Sequence, residues 1–226
     1  MSPPGSSGPG PLDILERFRK PRPRPGEQCE MCATEIGTEH SHVVNLESRG
    51  LMCACRPCYL LFLPGGAAGG RYKSVPDRCV ELPEATLTRG DWESLQVPVG
   101  IAFFFFSSTT GEVHCFYPGP AGATESLLPL DMWERLRAAE PLVASIEADV
   151  EALLVRAERE GDPASYIVPI DACYELVGYL RMYWKGFDGG GEAHQAIDDF
   201  FAGVVAKASS PVRHGAPPWA PPNGSL

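Results

Sequence analysis

Two cysteine pairs dominate the chemistry that this sequence offers. Cys29 and Cys32 stand as Cys-Glu-Met-Cys, and Cys55 and Cys58 as Cys-Arg-Pro-Cys. A C-x-x-C spacing folds into a tight knuckle that presents two thiolates to one ion. Two knuckles complete the tetrahedral sulfur shell, at about 2.3 Å, that structural zinc prefers. Cys53 precedes Cys55 by two residues and shares its face on an extended chain. It is therefore either an alternative ligand in place of Cys55 or a small thiol buried beside the site. His40 and His42 lie between the knuckles and also share a face when extended. As ligands they would make a mixed site; otherwise one hydrogen-bonds to a thiolate and the other is solvated.

The ion has two candidates. Zn2+ is redox-inert and stabilises a module too small to fold by itself. Iron in the same four thiolates would make a one-electron carrier of the rubredoxin kind. Rubredoxin knuckles carry Gly directly after the second cysteine, whereas Ala33 and Tyr59 occupy those places here, which favours zinc. Five of the eight cysteines fall between Cys29 and Cys58, and Cys79, Cys115 and Cys173 are scattered. That clustering reads as metal ligation rather than as a secreted disulfide framework. The amino terminus, MSPPGSSGPG, lacks a basic region followed by an apolar one, so the expected location is the cytoplasm.

The elements that must position these residues can be read from turns and periodicity. The 22 residues separating Cys32 from Cys55 accommodate one β-hairpin, His42–Leu46 with Leu51–Ala54 around a turn at 47–50. Tyr59–Phe62 is apolar and begins a short helix stopped by Pro64. Knuckle, hairpin and helix is the order of a treble clef, and without the helix the module is a zinc ribbon. The expected organisation is a tail over 1–25, a four-cysteine metal-binding module over 26–65, an α+β domain over 70–206 and a second tail over 207–226. The first tail holds an amphipathic segment, Leu12–Phe18, and a basic Pro-rich arm that reads as a linker or as a docking arm for an acidic partner; Pro and Gly keep both tails disordered.

Within the domain, Arg71–Val75 and Cys79–Leu82 are strand candidates around Pro76-Asp77. Val99–Phe106 with Glu112–Tyr117 is the clearest hairpin, and Val150–Arg156 with Tyr166–Val168 a second. Asp131–Ala139, Ile170–Trp184 and the segment after Gly189–Gly191 read as helices. The last should bury Ile197, Phe200, Phe201, Val204 and Val205 on one face. Hairpins interspersed with helices indicate an α+β fold with an antiparallel sheet.

Other residues give no catalytic constellation. Pro118–Ser126 reads as a connection rather than a phosphate loop, because it lacks a following Lys. Asp171 is expected to cap a helix, Cys173 to face the core and Glu175 to be solvated. His114 and Cys115 point to opposite faces of a strand and cannot act as a pair. The formal net charge of −10 argues against general nucleic-acid binding and against a treble-clef nuclease built on His40 or His42. The longest apolar run, Val97–Phe106, is half of what a bilayer crossing needs.

From Cys29 to about Phe201 the chain resembles an uncharacterised bacterial family encoded beside high-affinity [NiFe]-hydrogenases. The resemblance is carried by CEMC with EHSH, LMCACRPCYLLF, GGRYKSVPDR, FYPGPAGATESLLPLD, DVEALLV and VPIDACYELVGYLRMYWKG. It implies metal on Cys29, Cys32, Cys55 and Cys58, and an association with hydrogenase expression or maturation without a known reaction. The expected function is a non-enzymatic, metal-binding accessory or assembly factor that binds a hydrogenase subunit or maturation factor. The alternative is a rubredoxin-like electron carrier.

Overall fold

A computed structural model describes residues 28–63, 67–84, 86–119, 122–126, 130–158, 160–185 and 189–209. The expectations for the two tails lie outside these residues, apart from the last turn of the final helix. The fold is α+β with two antiparallel sheets.

The small sheet has the order β2-β1-β3, with β1 at Ser41–Asn45, β2 at Gly50–Ala54 and β3 at Tyr72–Ser74. The β1–β2 turn is tied by Asn45, whose Oδ1 accepts from the amides of Glu47 (3.0 Å) and Ser48 (3.2 Å). A six-residue helix, α1 (Arg56–Leu61), begins directly after β2 with Pro57 in its first turn, where a missing N–H costs nothing.

The large sheet has the order β4-β9-β8-β5-β6-β7, every neighbour antiparallel. Its strands are β4 (Val80–Glu81), β5 (Ile101–Ser107), β6 (Glu112–Gly119), β7 (Gly122–Ser126), β8 (Glu151–Arg156) and β9 (Ala164–Pro169). Both expected hairpins form, as β5–β6 and β8–β9. The helices are α2 (Arg89–Ser94), α3 (Leu130–Ala139), α4 (Pro141–Ala144), α5 (Ile170–Tyr183) and α6 (Gly190–Ala208). The helix expected over Asp131–Ala139 is α3, which also includes Leu130.

Both faces of the large sheet are covered, which explains why β5 reads as a continuous apolar run. Ile101 and Phe103 join Ala152, Leu154, Tyr166 and Val168 beneath α5 and α6. Ala102 and Phe104 join Leu153, Val155 and Ile167 on the other face, with Trp92 of α2 and Met132, Trp133 and Leu136 of α3. Between α5 and α6 the chain turns at Gly189, where φ is +87° and a Cβ would come within 3.2 Å of the Trp184 ring, so glycine is required there on two counts. On α6, Phe200, Phe201 and Val204 are buried as expected, but Val205 is exposed.

The strand candidates on either side of Pro76-Asp77 both form, and the structure supplies the partners that the sequence left open. The strands flanking Pro76-Asp77 belong to different sheets: β3 pairs with β1, and β4 with β9. Proximity in sequence favours a local hairpin, but β1 and β9 each offer a free edge, and these edges take the two strands instead. Residues 118–126 are not merely a connection, because β6 continues to Gly119 and β7 pairs back along it, with Tyr117 opposite Thr124. The polar composition of β7 reflects its position as an edge strand.

Candidate metal centre

The knuckles close onto one another around the end of the small sheet. In the first, the Ala33 amide donates to the Cys29 carbonyl (2.7 Å) and the Cys29 amide to the Thr34 carbonyl (2.7 Å). Ala33 is thereby held at φ +60°. In the second, Cys55 is the residue before α1 and Cys58 lies inside that helix, with the Tyr59 amide donating to the Cys55 carbonyl (2.9 Å). The Glu30 amide donates to the Cys53 carbonyl (2.9 Å), and the Cys53 amide donates to Glu30 Oε1 (2.8 Å), which latches the first knuckle to β2.

This places the sulfurs of Cys29, Cys32, Cys55 and Cys58 within 4.8 Å of one another, with Cys32 and Cys55 Sγ 3.6 Å apart. Tetrahedral bonds of about 2.3 Å separate sulfurs by roughly 3.8 Å. The four cysteines close together could therefore hold a metal ion. Their environments differ. The Thr34 hydroxyl, 3.3 Å from Cys32 Sγ, helps to hold that thiol down to about 6. Desolvation and the neighbouring sulfurs push Cys58 up to about 12. Sulfurs this close cannot all be thiolates without a cation between them, so the arrangement is one that a cation relaxes.

The remaining cysteines are apart from this cluster. Cys115 and Cys173 are buried in the two core layers, and desolvation pushes Cys115 up to about 12. Cys79 Sγ donates to the Val204 carbonyl (3.4 Å) on α6. Cys173 faces the core and Glu175 is exposed, as expected. His114 Nδ1 lies 2.6 Å from Glu125 Oε1 on β7, on the side of β6 away from the buried Cys115.

Asp171 does not cap α5, whose capping residue is Pro169. Its Oδ2 instead meets His42 Nδ1 at 2.8 Å, joining residues 129 positions apart. Nothing in the sequence flagged that pair, because the partner of a lone histidine is set by how two sheets stack. Cys53 clusters with His40 and His42, not with the four sulfurs, and the ligand atoms of these three lie within 4.8 Å of one another. Sheet register explains it: His42 stands opposite Cys53, and His40 is two residues before His42, on the same face.

Alternation along β1 gives the small sheet two distinct faces. Val43 and Ala54 turn toward the knuckles, where they are buried with Cys29 and Tyr59. Val44 turns the other way and packs with Ile170 of α5, and Leu46 and Leu51 pack against the same core. Lys73 adds a polar tie, donating from Nζ to the Ala148 carbonyl (2.7 Å) beside Glu147 (3.1 Å). The module is therefore docked on the large sheet's helical layer through its second face. No helix among the described residues is long and apolar enough to cross a membrane.

A family model matches residues 28–208, and the chain belongs to that family, the Family of unknown function (DUF5947). No curated protein and no solved structure matches the chain.

Proposed function

We propose that this member of the family is a non-enzymatic, cytoplasmic accessory factor whose Cys29, Cys32, Cys55 and Cys58 hold a structural Zn2+ in a treble-clef module. The module docks a protein partner, a subunit or maturation factor of a [NiFe]-hydrogenase. The observation that carries this reading is the convergence of four sulfurs at the base of a helix that displays apolar side chains. Leu60 and Leu61 of α1 are 42% and 65% exposed, and Leu63 just beyond it is 55% exposed. Leucines concentrated at one exposed site mark an interaction surface. Metal bonds at the first turn fix the orientation of that surface, so contact with a partner orders little. The hydrogenase assignment rests on the resemblance of the quoted motifs.

Deleting the gene in its native host should lower mature hydrogenase while transcription of its subunits is unchanged. Affinity capture should recover a hydrogenase subunit or maturation factor. Leu61→Asp should reduce that capture and leave the metal in place. Normal hydrogenase activity in the deletion strain contradicts the assignment.

One observation favours iron as a second reading. Ala33 adopts the left-handed backbone that a glycine after the second cysteine would supply in a rubredoxin knuckle. At the second knuckle Tyr59 continues a helix instead, which favours the treble clef. Protein from the native host distinguishes the two readings: stoichiometric iron with a reversible visible spectrum supports the electron carrier, and colourless protein with zinc supports the structural site. Zinc found after expression in a foreign host does not decide, because it substitutes readily in such sites.

A further inference from the structure

The cluster of His40, His42 and Cys53 lies on the face of the small sheet that meets the large one, apart from the four sulfurs. Its geometry has a feature that packing alone does not require. Each histidine has its Nδ1 committed to an oxygen that can only accept: His42 to Asp171 Oδ2 at 2.8 Å and His40 to the Gly37 carbonyl at 2.9 Å. Each Nδ1 therefore carries its ring proton, and each Nε2 of the neutral ring presents a lone pair. His40 Nε2 is buried with no hydrogen-bond partner. The two rings sit 4.8 Å apart between centroids, and Cys53 stands across from His42 in register. A buried lone pair without a donor has lost its water and gained nothing in return, a cost that a bound cation would remove.

We infer that His40 Nε2, His42 Nε2 and Cys53 Sγ form a second metal site at the junction of the two sheets. Zinc is the divalent ion that suits both imidazole and thiolate, and the fourth position is left for water or an exogenous ligand. As the ion binds, the Cys53 thiol loses its proton to solvent and a sulfur–metal bond forms; no electron is transferred. The ion and one thiolate leave a net charge of +1. Asp171 behind His42 and Glu30 beside Cys53 supply compensating carboxylates, and Asp171 orients its ligand through the far ring nitrogen. Because Asp171 lies in the first turn of α5 and meets the far nitrogen of His42, the site abuts the contact between the knuckle module and the domain. This inference is independent of the four-cysteine site, since it uses none of its ligands.

The test is metal stoichiometry of the full chain, equilibrated with Zn2+ and freed of excess ion. Two equivalents are expected in the wild type, and one in Cys53→Ala and in His40→Gln. With Co2+, the wild type should show the intense tetrathiolate charge-transfer bands together with a weaker set from the mixed site. Cys53→Ala should lose only the weaker set. Asp171→Asn leaves every ligand in place and should weaken the second ion about 10- to 100-fold without touching the first. A single equivalent in the wild type, or two retained in Cys53→Ala, overturns the site. Loss of the tetrathiolate bands in Cys53→Ala overturns it as well, by assigning Cys53 to the first ion.

Discussion

The knuckle module and the six-stranded domain are held together by different means. Among the described residues, the module's own core is four buried side chains, Cys29, Val43, Ala54 and Tyr59. On the two faces of the large sheet, the described residues form clusters of sixteen and fourteen buried side chains, counting the sheet's own and Val44 of β1. A core of the first kind cannot by itself offset the entropy of ordering its chain, whereas one of the second kind can. The contrast is written into the strands. β8 is buried along nearly its whole length, while β1 alternates between a face that serves the knuckles and a face that serves the domain. A strand with two clients needs both satisfied, so the proposed ion on one side and the docking on the other are both required.

The largest expected effect breaks the module alone. Structural zinc in small modules has an apparent binding free energy on the order of 10 kcal/mol. Cys58→Ser should therefore abolish the ion at that site and loosen residues 28–63, leaving the thermal transition of the large sheet in place. Elemental analysis together with calorimetry checks both halves. Breaking the domain should look different. Leu176 of α5 is fully buried, and Leu176→Ala should destabilise the domain by about 2–5 kcal/mol in a denaturant titration. The four-cysteine ion should stay bound under native conditions.

Legibility from sequence followed the same division. The two hairpins, the helices from Ile170 and Gly190 and the clustering of the four cysteines were readable, because each rests on local spacing or periodicity. What could not be read depends on which edges and faces meet. The strands on either side of Pro76-Asp77 are legible as strands but their partners are not, because only the assembled molecule shows that β1 and β9 have free edges. Asp171 looked like a cap, a role for which a short carboxylate at a helix start qualifies. Its actual role is set by His42 approaching from a sheet 129 residues away in sequence. Cys53 shares alternation with Cys55, but β2 ends at Ala54 and the chain turns into α1. The shared face is thus lost at the residue where it mattered.

Smaller effects sharpen the comparison. Glu151 begins β8 at 2% exposure, within 2.9 Å of Arg78 Nε, while its other oxygen accepts from the Glu147 amide at 2.8 Å. Desolvation raises its carboxyl above the ordinary value of 4.5 despite Arg78. With the folded value raised, its contribution to stability is full below 4.5 and is lost as pH rises through the folded value. Relative to Glu151→Gln, the wild type should lose stability as pH rises from 4.5 toward neutrality. Paired thermal melts across that range would reveal this slope, and parallel curves would contradict it. Smallest of all, Ala33→Gly should relieve the left-handed strain at φ +60° and stabilise the first knuckle by about 1 kcal/mol, seen as slower loss of the ion to a chelator.

On the proposed reading, a cation on the four cysteines completes the module, whereas the large sheet stands on its own core. Amide hydrogen exchange on the full-length protein, before and after stripping with a strong chelator under reducing conditions, tests this contrast most directly. After stripping, protection should collapse across Cys29–Ala33, β2 and α1 while β5, β8 and β9 exchange as slowly as before. Protection in the knuckles that is unchanged after complete metal removal would contradict it.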